Sequence, residues 1–239
     1  MPKLDGIVGV IAGGTGSVGE GIVRAFLKEG AAVIVPSRSQ EAIDRLLGNL
    51  GATPRDRLTT LIGNVGDATD AVRLRQAMLD RFGHIDAVVA SLGGTWDEQL
   101  KLIDVPIKTW RKYWESNLTP HYVVARTFLP LLADRKGSSY TLLGGMSAIV
   151  PVPNYSVVGI NSAGHLMMAK VLMEEMKNAQ VRINQVMFGF VNTRARAPYA
   201  RPEWVTADEV GAFCAYLASS EGAMLNGGVM QFGNRPPVS

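Results

Sequence analysis

The chain has 239 residues, of which 47% are hydrophobic and 19% charged, and its net charge is +3. That length suits one large domain or two small ones, and the apolar fraction supports a full core rather than disorder. The mild charge, with no basic run interleaved with aromatics, argues against nucleic acid as a partner, and no apolar run reaches membrane-spanning length.

Ile7–Ala12 is a short apolar run that ends in glycines and reads as a strand. Only Met1–Gly6 precede it, which leaves no room for a signal peptide. Glu20–Lys28 has helical periodicity and stops at Gly30. Ala32–Pro36 reads as a second strand, Gln40–Leu50 as a helix, Leu58–Ile62 as a third strand and Ala68–Phe82 as a helix. Ile85–Ala90 is a fourth strand. Thr109–Ala133 is a long helical stretch in which Pro120 and Pro130 predict kinks or ends. Ser139–Leu143 is a fifth strand, followed by a helix to about Lys177. Val181–Met187, a helix over Ala207–Leu217 and a last strand over Val229–Phe232 complete the chain.

Strands alternating with helices predict parallel βαβ units: an α/β, Rossmann-type doubly wound parallel sheet of about seven strands with helices on both faces. No internal repeat, linker or break in composition divides the chain, so residues 1–239 are expected to form a single dinucleotide-binding domain. Cys214 is alone and cannot form a disulfide within the chain, which suits a reducing, cytoplasmic setting. His84, His121 and His165 lack metal-ligand spacing, so no metal site is expected.

"IAGGTGSVGE", Ile11–Glu20, follows the first strand and opens the first helix. Gly13, Gly16 and Gly19 are spaced three apart. The first allows a tight turn, the second lets a pyrophosphate approach the backbone, and the third packs helix on strand. The helix N-terminus offers free N–H groups to phosphates. Thr15, Ser17 and Val18 lie in the same turn and join the glycines as candidate cofactor-binding residues. After the second strand, where an acidic residue would hold the ribose 2′-OH of NAD, the chain has Ser37, Arg38 and Ser39. A guanidinium with hydroxyls suits a 2′-phosphate, so NADP(H) is expected over NAD(H).

With these motifs the chain resembles the short-chain dehydrogenase/reductases over nearly its whole length. Asn64-Val65 stands where that family has Asp-Val against the adenine. "IDAVVASLGG", Ile85–Gly94, resembles its fourth strand, with Gly93 or Gly94 matching the glycine of a degraded Asn-Asn-Ala-Gly motif. Asn117-Leu118 resembles the Asn of its long helix. "VRINQVMFGFVNT", Val181–Thr193, resembles its "IRVN…PG…T" segment, with Phe188 in place of proline, and places Gly189, Val191 and Thr193 by the nicotinamide. The resemblance implies an oxidoreductase acting on a carbonyl or hydroxyl group, and a homodimer or homotetramer in which the helix carrying Trp110 and Trp114 makes contacts, although core packing explains that aromatic pair equally well.

In that family a tyrosine is the proton donor or acceptor, a lysine tunes it, a serine polarises the carbonyl and an asparagine organises water. Proton transfer in step with hydride transfer needs a tuned phenol. Two registers compete for "PNYSVVGINSAG", Pro153–Gly164. One puts Tyr155 at the tyrosine and Gly159 at the lysine. The other counts inward from both flanks and puts Gly145, Val158 and Ser162 at the serine, tyrosine and lysine, leaving Asn117 alone. The second is favoured because both flanks agree, and because a shift would turn Leu166, Leu172 and Met176 away from the sheet. Tyr155 then lies one helical turn before Val158. It is either a substitute proton donor or a half-buried tyrosine ahead of the helix. Ser147 is either a substitute serine or a turn residue. Arg194, Arg196 and Arg201 follow Thr193 and suit either an anionic small-molecule ligand or a solvated loop. Three functions stay open: an NADP-dependent oxidoreductase with a non-standard proton donor, a cofactor-binding pseudoenzyme or NADP(H) sensor, and a non-redox enzyme that reuses the pocket.

Overall fold

The computed structural model describes residues 2–94 and 99–233. Its strands are β1 (Val8–Ala12), β2 (Ala32–Ser37), β3 (Leu58–Ile62), β4 (Ala87–Ala90), β5 (Ser139–Gly145), β6 (Arg182–Phe188) and β9 (Val229–Phe232), with a short pair β7 (Val191–Asn192) and β8 (Val205–Thr206) apart from the main sheet. The helices are α1 (Gly19–Lys28), α2 (Gln40–Asn49), α3 (Ala68–Phe82), α4 (Ile107–Leu132), α5 (Ser156–Glu175) and α6 (Ala207–Ala218).

The main sheet has seven strands in the order β3-β2-β1-β4-β5-β6-β9, and every pairing is parallel. Strands such as β1, buried on both faces, read as continuous apolar runs for that reason. One core packs α1 and α6 against the sheet through Ile22, Phe26, Val210 and Cys214. The other packs α3, α4 and α5 through Leu74, Val124, Phe128 and Ala169. Strand order reverses between β1 and β4, which opens a crevice at their carboxyl ends. Among the described residues, no helix is long and apolar enough to cross a membrane.

Helix ends follow their sequence signals. Asp67 caps α3 by accepting from the N–H groups of Thr69 and Asp70, and Gly83 ends it in the left-handed region at φ 74°. Thr206 and Glu209 cap α6 reciprocally. Of the kinks or ends expected at Pro120 and Pro130, the ends do not occur: α4 runs through both. Burial of Val123, Val124, Phe128, Leu129 and Leu132 along the same helix holds it together past the prolines.

The inner face of α5 also departs from expectation. Leu172 and Met176 pack against the core, but Leu166 is not part of it. The residues α5 buries are Val157, Asn161, Ser162, His165 and Ala169, most of them polar. A polar inner face needs polar partners, and these lie at the candidate site.

Candidate active site

The turn from β1 into α1 is drawn tight against β4. Gly13 has φ +83°, and a Cβ placed on it would lie 2.0 Å from the Ser91 carbonyl oxygen. The turn closes through Gly14 N–H to Ile11 O (3.1 Å) and Gly16 N–H to Gly13 O (2.9 Å). Val18 precedes α1 without a side-chain cap. Among the described residues, nothing accepts from the N–H groups of Ser17, Val18 or Gly19. A Cβ on Gly16 would meet only Gly13 O, at 3.1 Å, so the space over the turn is open. Unpaired N–H groups at a helix start, beneath open space, fit the diphosphate of a dinucleotide.

At the end of β2, Ser37 is buried and donates its hydroxyl to Ser39 O at 3.2 Å. The Ser39 hydroxyl oxygen caps α2 by accepting from Ala42 N–H at 3.3 Å. Arg38 is exposed and has no partner among the described residues. Both hydroxyls thus shape the turn, and the guanidinium is the free group. After β3, the Asn64 side chain accepts from Gly66 N–H at 3.1 Å, while Asn64 N–H donates to the Asp70 carboxylate. That N–H, with Arg73 beside it, holds the Asp70 carboxyl below its ordinary range. Val65, next to Asn64, is buried.

At the end of β5 a short turn, Met146–Ala148, faces the start of α5. Ser147 donates its hydroxyl to the Ser162 hydroxyl at 3.0 Å. A Cβ on Gly145 would lie 3.1 Å from both hydroxyl oxygens, and one on Gly159 would lie 3.1 Å from Ser147 O. Gly145, Ser147, Gly159 and Ser162 therefore meet at one point, and Val158 is half-buried beside them on the helix. No phenol and no ammonium group belongs to this cluster. Tyr155 stands immediately before α5, half-buried. Its phenol oxygen accepts from the Gln99 side-chain amide at 2.7 Å, and its backbone bridges Leu100. An oxygen that accepts this bond keeps its own proton to give.

Asn117 is buried in α4. Its side-chain oxygen accepts from Gly94 N–H at 2.9 Å, and its amide donates to Tyr113 O and the Ser116 hydroxyl at 3.0 and 2.9 Å. Gly93, at φ +130°, is pressed so close that a Cβ there would lie 2.8 Å from the Asn117 side-chain oxygen. The Asn117 carbonyl accepts from His165 Nε2 at 3.3 Å, and Leu92 O accepts from His121 Nε2 at 3.1 Å. The two imidazole rings lie 4.3 Å apart between centroids. Burial and then the neighbouring His165 push His121 down to about 3, and burial likewise lowers His165. Both rings are neutral near pH 7, and a carbonyl acceptor on each fixes its proton on Nε2. Sequence reasoning saw these histidines as scattered. The missed signal was that each lies on the inner face of one of two packed helices.

Past β6, Gly189 is exposed while Val191 and Thr193 are buried. The turn Arg194–Tyr199 follows. Its arginines do not converge. Arg194 pairs with Glu20 at 3.4 Å, Arg196 lies over the Phe190 ring at 5.8 Å, and Arg201 pairs with Glu203 at 3.9 Å. Phe190 also stacks on Trp204 at 4.9 Å. Trp110 and Trp114 on α4 lie 5.7 Å apart.

A doubly wound parallel sheet with a glycine turn and an uncapped helix start at its switch point is the architecture of the dinucleotide-binding class of α/β proteins. Within that class, residues 12–232 match the family model described as enoyl-(acyl carrier protein) reductase, and the chain belongs to the short-chain dehydrogenase/reductase family. It is 27% identical to dehydrogenase/reductase SDR family member 4 of Bos taurus over 195 residues, covering 80% of this chain and 67% of that one. It is 24% identical over 242 residues to the 3-oxoacyl-[acyl-carrier-protein] reductase FabG of Thermotoga maritima, covering 95% and 96%. The fold superposes on a short-chain glucose/ribitol dehydrogenase from Brucella melitensis with a TM-score of 0.84 at 21% identity, covering 96% of each chain. Membership makes the chain an oxidoreductase-family protein and implies a nicotinamide cofactor.

Proposed function

We propose that this protein binds NADP(H) at the glycine turn and reduces or oxidises a carbonyl or hydroxyl substrate, with Tyr155 as the proton donor in place of the family's tyrosine. The observation that carries this reading is the Tyr155–Gln99 contact. It fixes a phenol one turn before Val158 and leaves the phenol proton free. Tyr155, Gly159 and Ser162 are spaced four and three residues apart, which puts Tyr155 on the side of α5 that carries the cluster at Ser147. Arg38 supports the choice of NADP(H). The residues fit the diphosphate, but the lysine that would hold the nicotinamide ribose is Ser162. Bound cofactor would supply the hydride, and the chain's own part is to bind, orient and deliver a proton.

Oxidation of NADPH over a panel of ketones, quinones and imines tests this. Native protein should turn over at least one of them. Tyr155→Phe should lower the rate about 10²–10⁴-fold, the usual share of one acid/base group, with NADPH affinity kept. Equal rates for Tyr155→Phe sink the assignment.

A second reading, a cofactor-binding pseudoenzyme or NADP(H) sensor, has its own support. The Ser147–Ser162 bond closes the point where the family's catalytic groups meet, and His165 holds the carbonyl of Asn117, the residue to which the resemblance assigns a water chain. Unequal affinities for NADP and NADPH without turnover would favour it. Two further expectations join the proposal. The open apolar groove between α4 and α5, lined by Tyr122, Leu129, Met168 and Leu172, suits a homodimer or homotetramer. The buried lone thiol of Cys214 suits a cytoplasmic setting.

A further inference from the structure

We infer that Arg194 is a ligand of the cofactor's pyrophosphate, held in place for that task by Glu20. This rests on the cofactor reading above. Glu20 is the second residue of α1, and its side chain is only 7% exposed. The helix dipole stabilises a carboxylate there. Glu20 follows directly on Ser17, Val18 and Gly19, whose N–H groups would bind phosphates, and its negative charge opposes them. A dinucleotide site with that residue needs a compensating cation.

Arg194 is that cation. Its Nε lies 3.4 Å from one Glu20 oxygen, and Asn49 donates to the other at 2.9 Å. The guanidinium carries five N–H donors in a planar fork. Beyond Nε, its donors have no partner among the described residues, and the side chain is 49% exposed. A fork anchored by its inner edge, with its outer edge open beside a helix start, matches the two-point binding of a phosphate. The other arginines of this loop are engaged away from the turn, Arg196 on Phe190 and Arg201 on Glu203.

The ion pair orients the guanidinium rather than adding much to the stability of the fold. A single contact at this distance, half-exposed on the arginine side, adds little to stability. Its consequence lies in connectivity. Arg194 follows Thr193 and opens the turn Arg194–Tyr199, so a bound pyrophosphate would pin the loop bordering the site to the cofactor.

Calorimetric titration of native protein, Arg194→Gln and Arg38→Ala with NADPH, NADH and ADP tests the assignment. All three ligands carry the pyrophosphate, and only NADPH carries the 2′-phosphate. Arg194→Gln should weaken all three by about tenfold or more, and Arg38→Ala should weaken NADPH alone. Melting without ligand checks that the variants fold. Arg194→Lys, which keeps the charge but not the fork, should fall between native protein and Arg194→Gln. Unchanged affinities in Arg194→Gln overturn this inference while leaving the cofactor reading intact. So does a loss confined to NADPH, which would assign Arg194 to the 2′-phosphate. Failure of the native protein to bind any of the three overturns the cofactor reading itself.

Discussion

Ser147 and Ser162 are joined hydroxyl to hydroxyl at 3.0 Å, and the Cα of Gly145 lies beneath them so closely that a side chain there would press on both. The absence of a side chain at 145 and the presence of this pair are therefore one structural fact. Gly145→Ser should destabilise the protein by roughly 1–3 kcal/mol, the usual cost of overpacking. Ser147→Ala removes one of the two crowded oxygens, so the double variant should recover part of that loss. Urea melts of the two single variants and the double give the coupling, and strictly additive changes would show that the three residues do not act as a unit.

The residues missing from the family's mechanism can be put back. Val158→Tyr with Ser162→Lys restores a phenol and an ammonium group four positions apart on α5. NADPH should bind more tightly through the lysine, and ketone-dependent NADPH oxidation should rise about 10²–10⁴-fold over the native rate. Tighter binding without faster turnover would mean that the site lacks a seat for the substrate, and would favour the sensor reading.

The sheet was legible because strands such as β1 and β4 are buried on both faces and carry short runs of Val, Ile and Ala with no competing period. The glycine turn was legible because it lies in one short segment. The prolines misled only as to where α4 ends. Pro120 and Pro130 are local signals, while the packing that carries α4 past them comes from the sheet. At the site, what sequence could not show was contact across distance. Gln99 meets Tyr155, His165 meets Asn117 and Arg194 meets Glu20 only after the strands are ordered, and no spacing along the chain encodes those pairs. Asn117 and Ser162 could be assigned from their motifs, but their partners could not.

The stacked histidines predict acid sensitivity. His121 is held at about 3 in the folded protein against about 6.5 when unfolded, and His165 is lowered as well. Below pH 6.5 the unfolded chain binds protons that the folded one refuses. Stability is thus full above that pH and falls as the pH drops toward the folded value. By pH 5, His121 alone should cost about 2 kcal/mol. Replacing His121 by Leu should flatten denaturation midpoints measured from about pH 7.5 to about pH 5, roughly 1 unit above to 1.5 units below the unfolded histidine. An equally steep decline in His121→Leu would place the sensitivity elsewhere.

Arg38 allows a test of which dinucleotide the site prefers. The neighbouring hydroxyls are taken up by the turn, Ser37 on Ser39 O and Ser39 on Ala42 N–H, so preference should rest on the guanidinium alone. Reversing its charge should then reverse the preference. Arg38→Asp places a carboxylate at the end of β2, where it would repel a 2′-phosphate and accept from the 2′-OH of NADH. NADPH affinity should fall by more than about tenfold and NADH affinity should rise. Because Arg38 is exposed and has no partner among the described residues, the substitution should leave the melting temperature unchanged. A variant that still prefers NADPH would show that the 2′-phosphate is held by the serines of this turn, and that the Ser37–Ser39 bond opens to receive it.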